Sequence, residues 1–213
     1  MKVGVIDYGV GNLGSVLRAL EELRVKPELV TRALDLHAMD CLILPGVGNF
    51  ADCAQLLEQG GWSSALRDEV KGQGKPLLGV CVGMQLLASV SMEGSADGLV
   101  GTPGLDFIPG SVEHLRALGC DLRVPHVGWN AVTASASSAG LFKDIPAGTD
   151  FYFVHSYAFV PEDGADVLAT TDYQITVTAA VRRGNVWGTQ FHPEKSSRAG
   201  FRLLRNFIEG SVC

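Results

Sequence analysis

The chain has 213 residues, of which 46% are hydrophobic and 19% charged, a length and composition that point to one domain over 1–213 with ample material for a core. Seventeen basic against 23 acidic residues leave a net charge of −6, which argues against non-specific nucleic-acid binding, since that runs on phosphate neutralisation. No apolar run reaches the ~20 residues of a membrane-spanning helix, and the opening MKVGVIDYG places Asp7 and two glycines where a secretory signal would be apolar. A cytosolic location, with no membrane contact, is the expectation.

In chain order, Lys2–Tyr8 reads as a strand and Gly9–Asn12 as a turn. Leu13, Leu17, Leu20 and Leu23 recur at helical spacing over 13–24, with Asn12 as N-cap. Strands are expected at Glu28–Thr31, at Asp40–Pro45, which runs into Pro45–Gly48, and at Lys75–Val80. A helix is expected within 51–71, and Met84–Ser89 opens another. Strands alternating with helices predict an α/β fold with a mostly parallel central sheet and helices on both faces. The second half is β-rich: Phe107–Leu115, His126–Thr133, Phe151–Val160, Gln174–Arg182 and Asn185–Gln190, with Ala134–Ala139 as a loop. These strands predict a mixed or antiparallel extension of the sheet, and Arg198–Ile208 predicts a closing amphipathic helix.

Cys81 stands in Gly79-Val-Cys81-Val-Gly83 at a strand–helix junction, the cysteine form of a nucleophile elbow. Flanking glycines remove side chains that would collide in a sharp turn, and a helix N-terminus favours a thiolate. The other cysteines (41, 53, 120 and 213) lack that context, and no CxxC or Cys/His cluster suggests zinc or disulfides. Neither a metal nor a cofactor is expected.

A thiol nucleophile needs a base, and the base needs an orienting carboxylate. Gln190-Phe-His192-Pro-Glu194 ends the last expected strand, and residues two apart in extended chain face the same way. His37, His114, His126 and His155 have no carboxylate two residues on. A tetrahedral intermediate formed by thiol attack on a carbonyl needs N–H donors aimed at its oxyanion, for which Val82 and the Pro45–Gly48 loop are the candidates.

The residues together resemble a known family. GVCVGMQLL around Cys81 and the late FHPEKS are similar to class I, triad-type glutamine amidotransferases. IDYGVGNL at 6–13, LPGVGNF at 44–50, PHVGWN at 125–130 and FVHSY at 153–157 are similar to the glutaminase subunits of imidazole glycerol phosphate synthases of histidine biosynthesis. The resemblance spans residues 6–196. It implies a flavodoxin-like amidotransferase fold and a Cys81–His192–Glu194 triad working through a glutamyl thioester. Gln85 would help hold glutamine, and Gly48 would lie at the oxyanion site. It also implies a heterodimer with a TIM-barrel cyclase that receives the ammonia and makes imidazole glycerol phosphate and aminoimidazole carboxamide ribonucleotide. Asp7–Leu13 and Pro125–Asn130 fit either a partner face or ordinary turn chemistry. The competing readings are another class I glutaminase, such as that of pyridoxal phosphate synthase, a cysteine hydrolase on a similar scaffold, and a non-catalytic scaffold subunit.

Overall fold

The computed structural model describes residues 1–94, 100–135 and 140–211. Strands β1 (Val3–Ile6), β3 (Cys41–Gly46) and β4 (Leu77–Cys81) are buried along their whole length. Such uninterrupted apolar runs are what a strand covered on both faces requires. β2 (Pro27–Val30) is only partly buried and lies at the sheet edge, where its proline costs no ladder hydrogen bond. With β13 (Val186–Thr189), these strands form a parallel block in the order β2-β1-β3-β4-β13.

The same sheet continues antiparallel through β12 (Ile175–Arg183), β11 (Val167–Tyr173), β8 (His126–Ala134) and β9 (Thr149–His155), nine strands in all. A second sheet joins β10 (Tyr157–Pro161), β7 (Gly110–His114), β5 (Val90–Ser91) and β6 (Thr102–Pro103). Buried Phe151, Phe153 and Phe191 pack ring against ring at the antiparallel end, each burial being worth roughly 1.5–3 kcal/mol.

Helix α1 (Leu13–Glu22) buries Val16, Ala19 and Leu20, so its core stripe is centred one position away from the leucine pattern, whose other members pack at the rim. It packs against α5 (Ser197–Gly210), the amphipathic tail. The helix expected within 51–71 is interrupted: α2 (Phe50–Gln59) stops before Gly60-Gly61, and α3 (Trp62–Leu66) then runs into a wider π turn over Arg67–Gly72. Gly61 sits at φ 69°, which breaks the helical path.

Other expectations also change. The helix expected from Met84 is α4 (Val82–Gln85), four residues long and starting directly after Cys81, and the chain turns into β5 by Val90. The strand expected over Phe151–Val160 is two strands, β9 and β10, which leave one sheet for the other at Ser156. β11 is a strand that the alternation of polar and apolar residues did not suggest. Asn12 stands at the N-cap of α1 but does not cap it. Residues 136–139 of the expected Ala134–Ala139 loop, and Cys213, lie outside the described residues.

The ends of β3 and β4 meet α4 at backbone contact distance. A Cβ on Gly46 would come within 2.6 Å of the Gly83 nitrogen, one on Gly79 would strike the Gly83 carbonyl, and one on Gly83 would strike the Leu44 carbonyl. Gly83→Ala should therefore overpack rigid backbone and cost about 1–3 kcal/mol. Thermal unfolding should show a fall in Tm of about 3–10 °C; an unchanged Tm would mean that this junction relaxes freely.

Candidate active site

Cys81 ends β4 and precedes α4 with φ 56° and ψ −114°, a conformation that a non-glycine residue adopts only when its surroundings enforce it. The glycine contacts described above are that enforcement. The turn lies at the carboxyl ends of the parallel strands, where open α/β sheets place their ligands. Val82, the first residue of α4, carries a backbone N–H that the helix itself cannot satisfy. Because α4 has only four residues, its aligned dipoles add little at the Cys81 end, less than the sequence suggested.

His192 follows β13, and its backbone N–H donates to the Tyr152 carbonyl at 2.9 Å, tying this segment to β9. The Ser196 hydroxyl donates to the His192 carbonyl at 2.6 Å and accepts from the Tyr152 N–H at 3.0 Å. The imidazole Nδ1 meets Glu194 Oε1 at 2.8 Å, both side chains being buried. The ring lies beside the Cys81 thiol, and its Nε2 has no formed hydrogen bond. Burial opposes a charge on His192, but the neighbouring thiol and Glu194 together outweigh it and raise its pKa. Asn12 Nδ2 also donates to Glu194 Oε1, at 3.3 Å. Its side chain serves this carboxyl group instead of the helix end.

Cys81, Val82, Gln85, Gly48 and His192 line one cavity of about 330 Å³, with Glu194 behind His192. Gly48 has φ 92°, and the neighbouring Val47 carbonyl accepts from the Cys53 thiol at 3.5 Å. Gln85 Nε2 donates to the Tyr157 carbonyl and to Gln190 Oε1, both at 3.0 Å, and Gln190 Nε2 reaches Cys81 Sγ at 3.9 Å. Three polar groups at or near the site had no signal in their local sequence. Glu93 lines the cavity and accepts from the Phe50 N–H at 2.7 Å. Asn12 reads as a cap, and Gln190 as the end of a strand. Their roles arise from pairings across more than 40 residues of chain.

His155 lines the same cavity but is not free to act as a base. It lies directly opposite His126 across the β8–β9 ladder. Its Nδ1 donates to the Tyr157 carbonyl at 2.8 Å, so its Nε2 must accept from His126 Nδ1, at 3.0 Å. Burial lowers His126 to about 4 and His155 to about 3. An unfolded imidazole titrates near pH 6.5. Below that pH the unfolded chain binds protons that the folded pair refuses, so stability is complete above 6.5 and lost as pH falls towards 4. The raised pKa of His192 acts in the opposite window: its contribution is complete below 6.5 and fades at alkaline pH. Each of the paired histidines should steepen the acid limb by up to about 1.4 kcal/mol per pH unit. Urea unfolding at pH 7, 6 and 5 should show a shallower loss of stability in His126→Gln than in the unaltered protein.

The family model for class-I glutamine amidotransferases matches residues 4–210. The imidazole glycerol phosphate synthase subunit HisH of Moorella thermoacetica is 47% identical over 207 residues, covering 97% of this chain and 94% of that one. The HisH subunit of Rhodospirillum rubrum is 44% identical over 215 residues, with 98% of each chain covered. Among solved structures, one described as a glutamine amidotransferase superposes with a TM-score of 0.76 at 24% identity, over 99% of both chains. PurLQS from Thermotoga maritima superposes at 0.73 and 17% identity, over 98% of both; at these identities the two superpositions speak to the fold alone. With the family model covering nearly its whole length and relatives above 40% identity, this chain belongs to the class I glutamine amidotransferase family.

Proposed function

We propose that the chain is the glutaminase subunit of an imidazole glycerol phosphate synthase, with Cys81 as nucleophile, His192 as its base and acid, and Glu194 as the group that orients His192. The observation that carries the reading is the buried His192–Glu194 couple beside a thiol held at positive φ, at the mouth of an amino-acid-sized cavity. The near full-length likeness to HisH subunits gives the substrate class and the pathway.

In this reading His192 takes the Cys81 proton, and the thiolate attacks the carboxamide carbon of glutamine. Oxyanion charge is met by the Val82 N–H and by a donor from the Pro45–Gly48 loop, each such donor being worth about 3–4 kcal/mol. His192 returns the proton to the departing nitrogen, so ammonia leaves and a glutamyl thioester remains. Water, deprotonated by the same imidazole, then releases glutamate. Glu194 holds Nδ1 protonated and steadies the imidazolium. Gln85 offers its Oε1 as an acceptor, because both of its N–H groups are engaged. Glu93 adds a carboxyl group suited to an α-ammonium.

The ammonia would pass to a TIM-barrel cyclase subunit. Val127, Trp129 and Val154 are exposed large apolar side chains on β8 and β9, with Val127 directly opposite Val154. Pro125 and Val154 carry this surface to the rim of the cavity. An apolar patch continuous with the site suits a partner that must take ammonia without releasing it to water. Within PHVGWN, Val127 and Trp129 would meet the partner, while His126 is buried against His155.

Co-purification with the cyclase, followed by glutamine turnover, tests the reading. Cys81→Ser should lose turnover by about 10⁶-fold, the scale of a lost triad nucleophile, while the complex still uses added ammonium salts. Glu194→Gln should lose less. Turnover by the subunit alone should be low and rise by about 10²–10³-fold with partner and nucleotide, in kcat and not in KM, as a supplied oxyanion donor would produce. Full activity of the isolated chain would rule out that control, and turnover by Cys81→Ser would overturn the assignment.

A further inference from the structure

We propose that Gln190 is a catalytic residue, whose side-chain N–H bonds to the Cys81 sulfur and stabilises the thiolate form. The inference rests on Cys81 being the nucleophile. Gln190 is fully buried, and its Nε2 lies 3.9 Å from Sγ.

The orientation of its amide is fixed by a chain of groups with only one consistent polarity. The Tyr157 carbonyl can only accept. It takes one bond from His155 Nδ1–H at 2.8 Å and one from Gln85 Nε2 at 3.0 Å, using both lone pairs. Gln85 must therefore present nitrogen here, and its second N–H goes to Gln190 Oε1 at 3.0 Å. With its oxygen so engaged, Gln190 can present only N–H to the sulfur. His155 is held in the matching tautomer by His126 Nδ1–H at 3.0 Å, and His126 Nε2 is met by Asn130 Nδ2 at 3.4 Å. The chain thus runs from β8 to the nucleophile without a break in polarity.

The chemistry calls for such a donor. Cys81 is 4% exposed, so water gives its thiolate little solvation. The Val154 carbonyl, 3.9 Å from Sγ, can accept from the neutral thiol only. Of the titratable neighbours, Tyr8 after β1 and Cys53 on α2 are both driven upward by burial and remain neutral near pH 7. That leaves His192 as the cation facing the sulfur and Gln190 as the neutral side-chain donor. Gln190 keeps its protons throughout. Its contribution is greatest when the sulfur carries charge, which a bond to a neutral thiol would not provide.

The test is the pH dependence of Cys81 alkylation by iodoacetamide in the full chain, followed by mass spectrometry of the Cys81 peptide, with glutamine kinetics of the complex alongside. Gln190→Met should raise the alkylation midpoint and slow the reaction at pH 7 by about tenfold or more, the loss of one bond to a charged group. In the complex kcat should fall with little change in KM. Gln85→Met, which frees the Gln190 amide to turn, should shift the midpoint in the same direction by less. It decides the matter if Gln190→Met does not fold, because alkylation is read without glutamine. A midpoint that neither variant moves from that of the unaltered protein overturns the role of Gln190. Glutamine turnover retained by Cys81→Ser in the complex instead overturns the nucleophile assignment.

Discussion

Most of the site depends on one steric constraint, the approach of three backbone segments that leave no space for a Cβ. Gly46 at the end of β3, Gly79 within β4 and Gly83 in α4 press main chain on main chain. With α4 so close to both strands, the chain must turn within a single residue, and Cys81 occupies that turn at φ 56°. The strain is local, but the buried strands on either side set it, and a packed core does not yield by small amounts. The site geometry is therefore carried by the most rigid part of the sheet, while the loops around it complete the cavity.

Around that fixed sulfur, the polar groups are arranged so that charge has few places to settle. Against its burial, His192 is pulled toward its charged form by Cys81 and Glu194, whereas His155, which lines the same cavity, and its partner His126 are kept neutral by burial. Two histidine environments of opposite sign share one cavity wall, because the neutral pair satisfies itself across the β8–β9 ladder. That pair also ends at the Tyr157 carbonyl, where the chain passes from the nine-stranded sheet to the four-stranded one. The hinge between sheets, the cavity wall and the amide network thus meet at a single carbonyl oxygen.

Local sequence was enough for whatever local chemistry dictates. The buried parallel strands are legible because continuous apolar runs have no other stable use. The elbow is legible because Gly-x-Cys-x-Gly removes the very side chains that a tight turn cannot hold. The His192–Glu194 contact forms as expected, but not for the reason expected: the chain leaves the extended form after His192, and a 3₁₀ turn over Pro193–Lys195, not strand alternation, carries Glu194 to the imidazole. The family resemblance pointed to Gln85 and Gly48 as neighbours of the thiol, and both line the cavity.

What the sequence left open depends on which distant segments meet. The helix expected within 51–71 breaks at Gly60-Gly61, where Gly61 turns left-handed and Trp62 packs against the Gly60 backbone. Ser156 gives no sign that one apparent strand serves two sheets. Asn12 has the pattern of a cap, yet its amide goes to Glu194, 182 residues away. Glu93 lies in no motif, and although His126, His155 and Gln190 lie in or beside PHVGWN, FVHSY and FHPEKS, nothing in those runs says which groups they meet, since a hydrogen bond formed across a fold leaves no periodic trace in the chain. Sequence by itself determined the sheet's core, the strained turn at Cys81 and the pairing of His192 with Glu194. Only the tertiary structure decided which polar groups face them and with what polarity, because burial and long-range pairing exist only after the strands have come together.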